Sequence, residues 1–453
     1  MLRHLRFTNF KSWPKADLPC GRITGLFGTN ASGKTSILQF LLLLKQTKNA
    51  TDRALALDLS GPFVDLGTIY DTIHRHDENR TIEMGVTFHQ ESALILEDPA
   101  DQKKATPLAS GNEFTLSAEI AVEKRAPRTR RISYCLGNAE FSLSQDTKPE
   151  RFQLRASEDT GAFGFVRAQG RAWPLPGPIK NYAFPDQVRT YYQNAAFLST
   201  LEVAYEAAMD RIFYLGPLRE FPRRDYMWAR SRPTDVGQRG EKAIDAILAA
   251  TDANETRNLK VGSRRRPFQE MVAYWLKDIG LIHDFKVVEI APGSNRWQAT
   301  VVTRPGAVPV LLTDVGFGVS QVLPVVTLLL YAPEGSTIIL EQPEIHLHPL
   351  AQAGLADVIV HAAKHRNVQV ILESHSEHLL LRLQRRIAEG SIDADEVKLY
   401  FCDAQRGEST LTPLQLDLLG LIRNWPEHFM GDAFGETAKA ELARLHRMRK
   451  AAE

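Results

Sequence analysis

The chain has 453 residues, 43% of them hydrophobic and 24% charged, enough apolar material for a normal core in two or three domains and too much for global disorder. Its 55 Lys and Arg against 54 Asp and Glu leave a formal charge of +1, so no overall field draws the whole molecule onto nucleic acid and any such contact must be local. Three cysteines, Cys20, Cys135 and Cys402, lie far apart without CxxC spacing, which argues against a disulfide framework or a zinc ribbon and for a reducing compartment.

The opening MLRHLRFTNFKSW lacks the apolar stretch of a signal peptide, and the longest apolar runs, 40–44 and 322–332, are too short to span a bilayer. A cytoplasmic protein without membrane contact is the expectation. Strand-like runs at 3–9 and 22–27 come first, the second entering a glycine-rich loop. The helix that follows, over 35–45, contains SILQFLLLLK. Apolar nearly all round, it suits burial against a parallel sheet.

From 81 to 158 the pattern changes to alternating runs, TIEMGVTF, FTLSAEIAVE, RISYCLG and FQLRAS, separated by Gly, Asn and Asp. These read as β-rich. Residues 161–284 are mixed and richer in Pro and Arg, with helices predicted over 190–211 and 268–279. No internal repeat and no long heptad run is present.

Beyond Phe285 strand and helix alternate: strands near Val287 and Ala299, a helix over 319–331, a strand over 337–341, a helix over 349–364 and a strand over 368–373. A further strand over 397–401 and a closing helix over 436–450 follow. Such a succession predicts an α/β fold, a mixed sheet with flanking helices. Residues 1–80 and 285–453 are expected to form two lobes of one head, with 81–284 as an inserted β-rich and helical region.

Gly28-Thr29-Asn30-Ala31-Ser32-Gly33-Lys34-Thr35 matches GxxxxGK[ST] and sits between a strand and a helix, where backbone N–H groups and the helix dipole cradle phosphates. There Lys34 neutralises β- and γ-phosphate oxygens and the Thr35 hydroxyl ligates Mg²⁺, with Gly28, Asn30, Gly33 and Ser36 lining the cradle. The apolar strand at 337–340 ends in Glu341-Gln342-Pro343-Glu344, the form of a Walker B strand, and Glu341 is the expected metal-side carboxylate. Asp314 to Gln321, reading DVGFGVSQ, places a glycine loop at a helix N-terminus, a second anion-binding nose. His375 ends the next strand in LESHS and is placed to reach a γ-phosphate.

These four elements in this order resemble the ABC ATPase superfamily, in which the signature loop of one subunit caps ATP held by the P-loop of another. GxNxxGKT, the HLRFTNFKSW opening, GFGVSQ and EQPEIHLHP are similar to the RecF/SMC/OLD branch, and YLGPLR at 214–219 with IRNWP at 422–426 resembles ATPases of bacterial anti-phage systems such as Septu and PARIS. The resemblance implies an ABC-type P-loop head binding ATP and Mg²⁺ through Lys34, Thr35 and Glu341. Gly318, Ser320 and Gln321 would cap the partner's nucleotide, and His375 would act as the switch histidine.

One position departs from the family. A general-base Glu usually follows the Walker B acid, and here Gln342 stands there, unable to accept a proton from water. Three outcomes stay open: slow hydrolysis, Glu344 as the base, or ATP as a lock on the dimer. No Q-loop is assignable; 63–70 is the expected region and contains no Gln.

His346, His348, His375 and His378 admit a metal-site reading, although His346 and His348 fall where the family has its subunit-contacting D-loop. The clusters 124–131, 223–232 and 264–266 are candidate contacts to a DNA backbone, with Tyr226 and Trp228 as stacking partners. The functional expectation is an ATPase switch or scaffold of a bacterial defence complex, forming a homodimer or higher oligomer through its ATP sites and controlling a separately encoded effector, a nuclease or toxin. The alternative is a RecF/SMC-like DNA-binding ATPase.

Overall fold

The computed structural model describes residues 1–97, 107–146, 151–157, 160, 163–170, 173–259, 263–426 and 443–444. The hairpin β1 (Leu2–Phe10) and β2 (Trp13–Pro19) precedes β3 (Ile23–Gly28), whose end turns into α1 (Lys34–Asn49). A short α2 (Ile69–Thr72) leads to β4 (Ile82–Leu96), β5 (Ala109–Glu123), β6 (Ala126–Leu136), β7 (Ala139–Gln145) and β8 (Phe152–Ala156). Next come α3 (Asp186–Tyr191), α4 (Leu198–Asp210), β9 (Ile212–Leu215), β10 (Tyr226–Met227), α5 (Ala243–Asp252), β11 (Thr256–Arg257), β12 (Arg266–Pro267) and α6 (Phe268–Asp278).

The remainder is β13 (Asp284–Glu289), β14 (Arg296–Val302), β15 (Val310–Leu311), α7 (Phe317–Tyr331), β16 (Thr337–Glu341), α8 (Pro349–His365), β17 (Gln369–Glu373), α9 (Glu377–Ala388), β18 (Val397–Gln405) and β19 (Glu408–Leu414). Two large sheets organise these elements. One is antiparallel, in the order β2-β1-β4-β5-β6-β7-β8; the other runs β19-β18-β3-β17-β16-β9, parallel except for β19.

The expected α/β architecture, a mixed sheet flanked by helices, is therefore present. Every residue of β16 and β17 is buried, as continuous apolar strands require when both sheet faces are covered. The helices α5 to α9 pack one face into a single cluster with Leu340, Val370 and Leu372. On the other side α1 and α4 are sandwiched against the antiparallel sheet, where Phe7 stacks on Phe40 at 4.2 Å between ring centroids.

Three sequence expectations change. The segment 81–284 is not a separate insertion: β4 pairs with β1, so β4 to β8 extend the sheet that the N-terminal hairpin begins, and β9 pairs with β16 as an edge of the parallel sheet. Both pairings join strands far apart in sequence, Phe7 opposite Met84 and Ile212 opposite Thr337, which local patterning does not reveal. The helix predicted over 190–211 is two helices, because the Asn194 amide bonds to Val166 N and Gly164 O and holds the intervening chain out of helical geometry. The closing helix predicted over 436–450 falls almost entirely outside the described residues.

Candidate functional site

The site is built at the C-terminal ends of β3, β17 and β16, where an open α/β sheet presents its loops. After β3 the loop backbone passes through Gly28 (φ 143°), Ala31 (φ 60°) and Gly33 (φ 88°). A Cβ at Gly28 would sit 2.1 Å from the Cys402 carbonyl oxygen, so only glycine lets the loop pass β18. Ala31 holds a left-handed conformation uncommon for a side-chain-bearing residue, the kind of strain that accumulates in anion-binding loops.

Helix α1 starts from Gly33 without a side-chain cap and without an acidic residue in its first turn. Its leading N–H groups therefore face the loop with a positive dipole end behind them, which suits phosphate. Thr29, Asn30 and Ala31 are exposed around that end, and Ser36 N donates to Gly33 O. The Lys34 ammonium curls back to donate to the Gly28 and Thr29 carbonyls at 3.1 and 2.6 Å. Burial pulls its pKa down, opposed by the charge of Glu373.

Three buried carboxyl groups face this loop. Glu341 and Glu373 end adjacent parallel strands as direct register partners. Glu373 accepts from the Thr35 hydroxyl at 2.8 Å, while Glu341 accepts from Tyr214 Oη at 3.1 Å. Glu344 takes Ser374 Oγ at 2.7 Å and His375 N at 2.8 Å on the same oxygen. Burial, and then repulsion from Glu373, push Glu341 up to about 7. Burial raises Glu344 and Glu373 as well.

That crowding of like charge is what a divalent cation relieves. Among the described residues no three His, Cys, Asp or Glu side chains form a metal cage of their own. Mg²⁺ fits this kind of site, held by one or two carboxylates, a hydroxyl and the ligand's phosphates. His346, His348 and His378 have other places: His346 lies beside the Phe317 ring, His348 caps α8 by accepting from Leu350 N, and His378 lies on α9.

His375 is exposed, and burial and then the charge of Lys34 lower its pKa, which places its ring near the phosphate loop. Gln342 takes φ 43°, a left-handed value, directly after Glu341. Sequence reasoning missed Glu373, although TIILE and QVILE each end an apolar strand in Glu. It also gave no role to Tyr214, Arg219 or Trp13, whose indole donates to Gly33 O at 3.0 Å.

The second glycine loop opens α7, with Gly316 extended at its N-cap and Phe317 exposed. Gly318 lies against His346 and Leu347, so this loop touches the segment that follows the Glu341 strand. Ser320 is buried and donates to Phe317 O at 2.9 Å, and Gln321 is buried too. Neither side chain faces outward in this state; the exposed residues of the nose are Asp314, Gly316 and Phe317, whose ring lies 5.9 Å from that of Phe221.

The arginine clusters are engaged in part, and Lys124, Arg125, Arg128 and Arg264 are exposed. Arg223, Arg224, Arg230 and Arg232 form ion pairs with Glu220, Asp314, Asp252 and Glu255, and Arg130 and Arg131 with Glu123 and Glu140. Trp228 is buried, which removes it as a stacking partner for a nucleic-acid base, while Tyr226 is half-buried and its hydroxyl accepts from Arg223 N. Arg265 bonds Thr256, and Arg266 lies over the Tyr274 ring at 4.8 Å. No helix among the described residues is long and apolar enough to cross a membrane.

Residues 23–382 match the family model described as "AAA domain, putative AbiEii toxin, Type IV TA system", and residues 392–439 match a family of proteins of unknown function. No curated protein matches the chain. Among solved structures, similarity extends to an SMC head bound to the C-winged helix domain of ScpA (13% identity, TM-score 0.45, covering 92% of this chain and 98% of that one). It extends also to the SMC head domain from Thermotoga maritima (10%, 0.41, covering 91% and 99%). A third is an SMC head with an extended coiled coil bound to the C-terminal domain of ScpA derived from Pyrococcus furiosus (12%, 0.40, covering 92% and 96%). At these distances none of the three assigns a role to a residue here.

Proposed function

Because the chain belongs to this AAA-domain family, with the match covering 360 of its 453 residues, we propose that it is an ATP-driven switch subunit of a bacterial defence system. The P-loop holds the nucleotide's phosphates, and Thr35, Glu373 and Glu341 form the metal side. Thr35, Glu373 and Glu341 would hold Mg²⁺, which would neutralise charge on the phosphates. The observation that carries the reading is the convergence of the uncapped α1 N-terminus, Lys34 and two register-paired buried carboxyls at one end of one sheet.

Two copies close on ATP, each presenting the exposed start of α7 to the nucleotide of the other, so that binding energy stabilises one of two conformations. Gln342 supplies no base, and hydrolysis runs slowly or through Glu344. The output passes in the cytoplasm to a separately encoded effector, for which the toxin and toxin–antitoxin context of the family description gives support. The alternative, a RecF/SMC-like DNA-binding ATPase, is equally consistent with the family match, and the exposed Lys124, Arg125 and Arg128 are its candidate backbone contacts.

The test measures ATP binding, turnover and molecular mass in solution together, with and without Mg²⁺, for wild type and Lys34→Ala. Saturable binding, dimer formation on ATP and loss of both in Lys34→Ala are expected. Binding without a change of mass overturns the dimer switch, and turnover that survives in Lys34→Ala overturns the site itself.

A further inference from the structure

Arg219 leaves the end of β9 and is 5% exposed, deep behind the Glu341–Glu344 turn. One guanidinium nitrogen, Nη2, donates to the main-chain oxygen of Glu341 at 3.3 Å. The other two, Nε and Nη1, are buried and have no hydrogen-bond partner, and the same holds for Oε2 of Glu344. Donors without an acceptor and an acceptor without a donor thus lie in one buried cluster.

Such an arrangement is expensive. A buried guanidinium with unmade bonds is less stable than an apolar side chain of the same volume, unless its charge works on neighbouring anions. Here the anions are at hand: burial lowers the pKa of Arg219 to about 10, and the carboxyl groups of Glu341 and Glu344 oppose that shift. A planar fork of donors can hold a main-chain oxygen and face carboxylates at once, which a lysine ammonium does less well.

We propose that Arg219 is a positioning residue for ATP hydrolysis, tethering the main chain of Glu341 and balancing the charge of Glu341 and Glu344 from behind. It rests on the ATP-site reading above. The incomplete bond set belongs to the nucleotide-free state, and the spare Arg219 donors and Glu344 Oε2 are the groups that pair when the site fills. Phe221, two residues on, meets Phe317 at the start of α7, so the same strap touches both functional loops.

The test compares steady-state ATP turnover and direct ATP affinity in wild type, Arg219→Ala, Arg219→Lys and Lys34→Ala, each checked for its thermal transition. In Arg219→Ala kcat is expected to fall about thirtyfold or more, with affinity within about threefold of wild type. Millimolar guanidinium should restore part of the Arg219→Ala rate and none of the Lys34→Ala rate. Unchanged kcat in folded Arg219→Ala, or parallel loss of rate and affinity without guanidinium rescue, overturns the proposal.

If Arg219→Ala does not fold, Arg219→Lys decides: reduced kcat at wild-type affinity supports the role, and wild-type kcat overturns it. A wild type that binds ATP through Lys34 without turning it over removes the reaction and the proposal with it. Turnover insensitive to Lys34→Ala shows instead that the ATP-site reading has failed.

Discussion

The Thr35 hydroxyl donates to Glu373 Oε2 across 2.8 Å, joining the first turn of α1 to the end of β17. The carboxylate nearest the P-loop hydroxyl is thus Glu373, and Glu341 lies one strand further out. A cation bound to Thr35 must share or displace that bond. Thr35→Val and Glu373→Gln are both expected to remove most of the Mg²⁺-dependent gain in ATP affinity, about tenfold or more, as read by nucleotide titration with and without Mg²⁺. Full Mg²⁺ dependence in Glu373→Gln would leave Glu341 alone on the metal side.

Burial and repulsion raise Glu341 from an ordinary value of 4.5 to about 7, so between those two pH values the folded protein keeps a proton that the unfolded chain has lost. Stability from this group is therefore full at low pH and falls as pH rises through that window; Glu344 and Glu373, also raised, act in the same sense. Glu341→Gln, which removes the charge, should stabilise the nucleotide-free protein at pH 8 by about 1–3 kcal/mol and change little at pH 5. Chemical denaturation at the two pH values measures this. Equal effects at both would show that the carboxyl is not held protonated by the fold.

Much of this site was legible in the sequence, and the reason is local. A phosphate cradle needs glycines at fixed offsets between a strand and a helix, and Gly28, Gly33, Lys34 and Thr35 occur in that pattern. Likewise β16 begins and ends where its apolar run does. What the sequence hid is what distant pairing decides. Nothing near Leu5 announces that it will sit opposite Val86, and nothing near Tyr214 announces a bond to Glu341. The Ser320 hydroxyl was hidden for another reason: in this chain it finds the carbonyl three residues back and turns inward, which its spacing in the loop does not announce.

Gly33 is a second tight point of the cradle, after Gly28. Its φ of 88° is left-handed, and a Cβ there would lie 2.5 Å from Ser409 Oγ and 2.7 Å from Trp13 Nε1. Gly33→Ala must strain the backbone and push back the Trp13 indole that holds the loop. A loss of about 1–3 kcal/mol is expected, together with loss of ATP binding. Trp13→Phe, which keeps a buried ring but removes the indole donor to Gly33 O and leaves that of Ser36 N, should weaken binding with a smaller cost, about 1 kcal/mol. Thermal melts and nucleotide titration of both variants separate the two effects.

Glu344 offers only one free oxygen for chemistry. Oε1 accepts both Ser374 Oγ and His375 N, and the buried Oε2 is the oxygen left to accept a proton. If that oxygen is the base that Gln342 cannot be, Glu344→Gln keeps the acceptor for Ser374 and His375 and loses only the proton acceptance. Turnover should then fall about a hundredfold or more, with ATP affinity and the melting transition near wild type. Glu344→Ala also removes the acceptor, leaving the Ser374 hydroxyl and the His375 amide short of a partner, and should destabilise the fold by about 1–3 kcal/mol. Rate, affinity and stability measured on both variants separate catalysis from scaffold. Wild-type turnover in Glu344→Gln would show that water is activated without a carboxylate at this position.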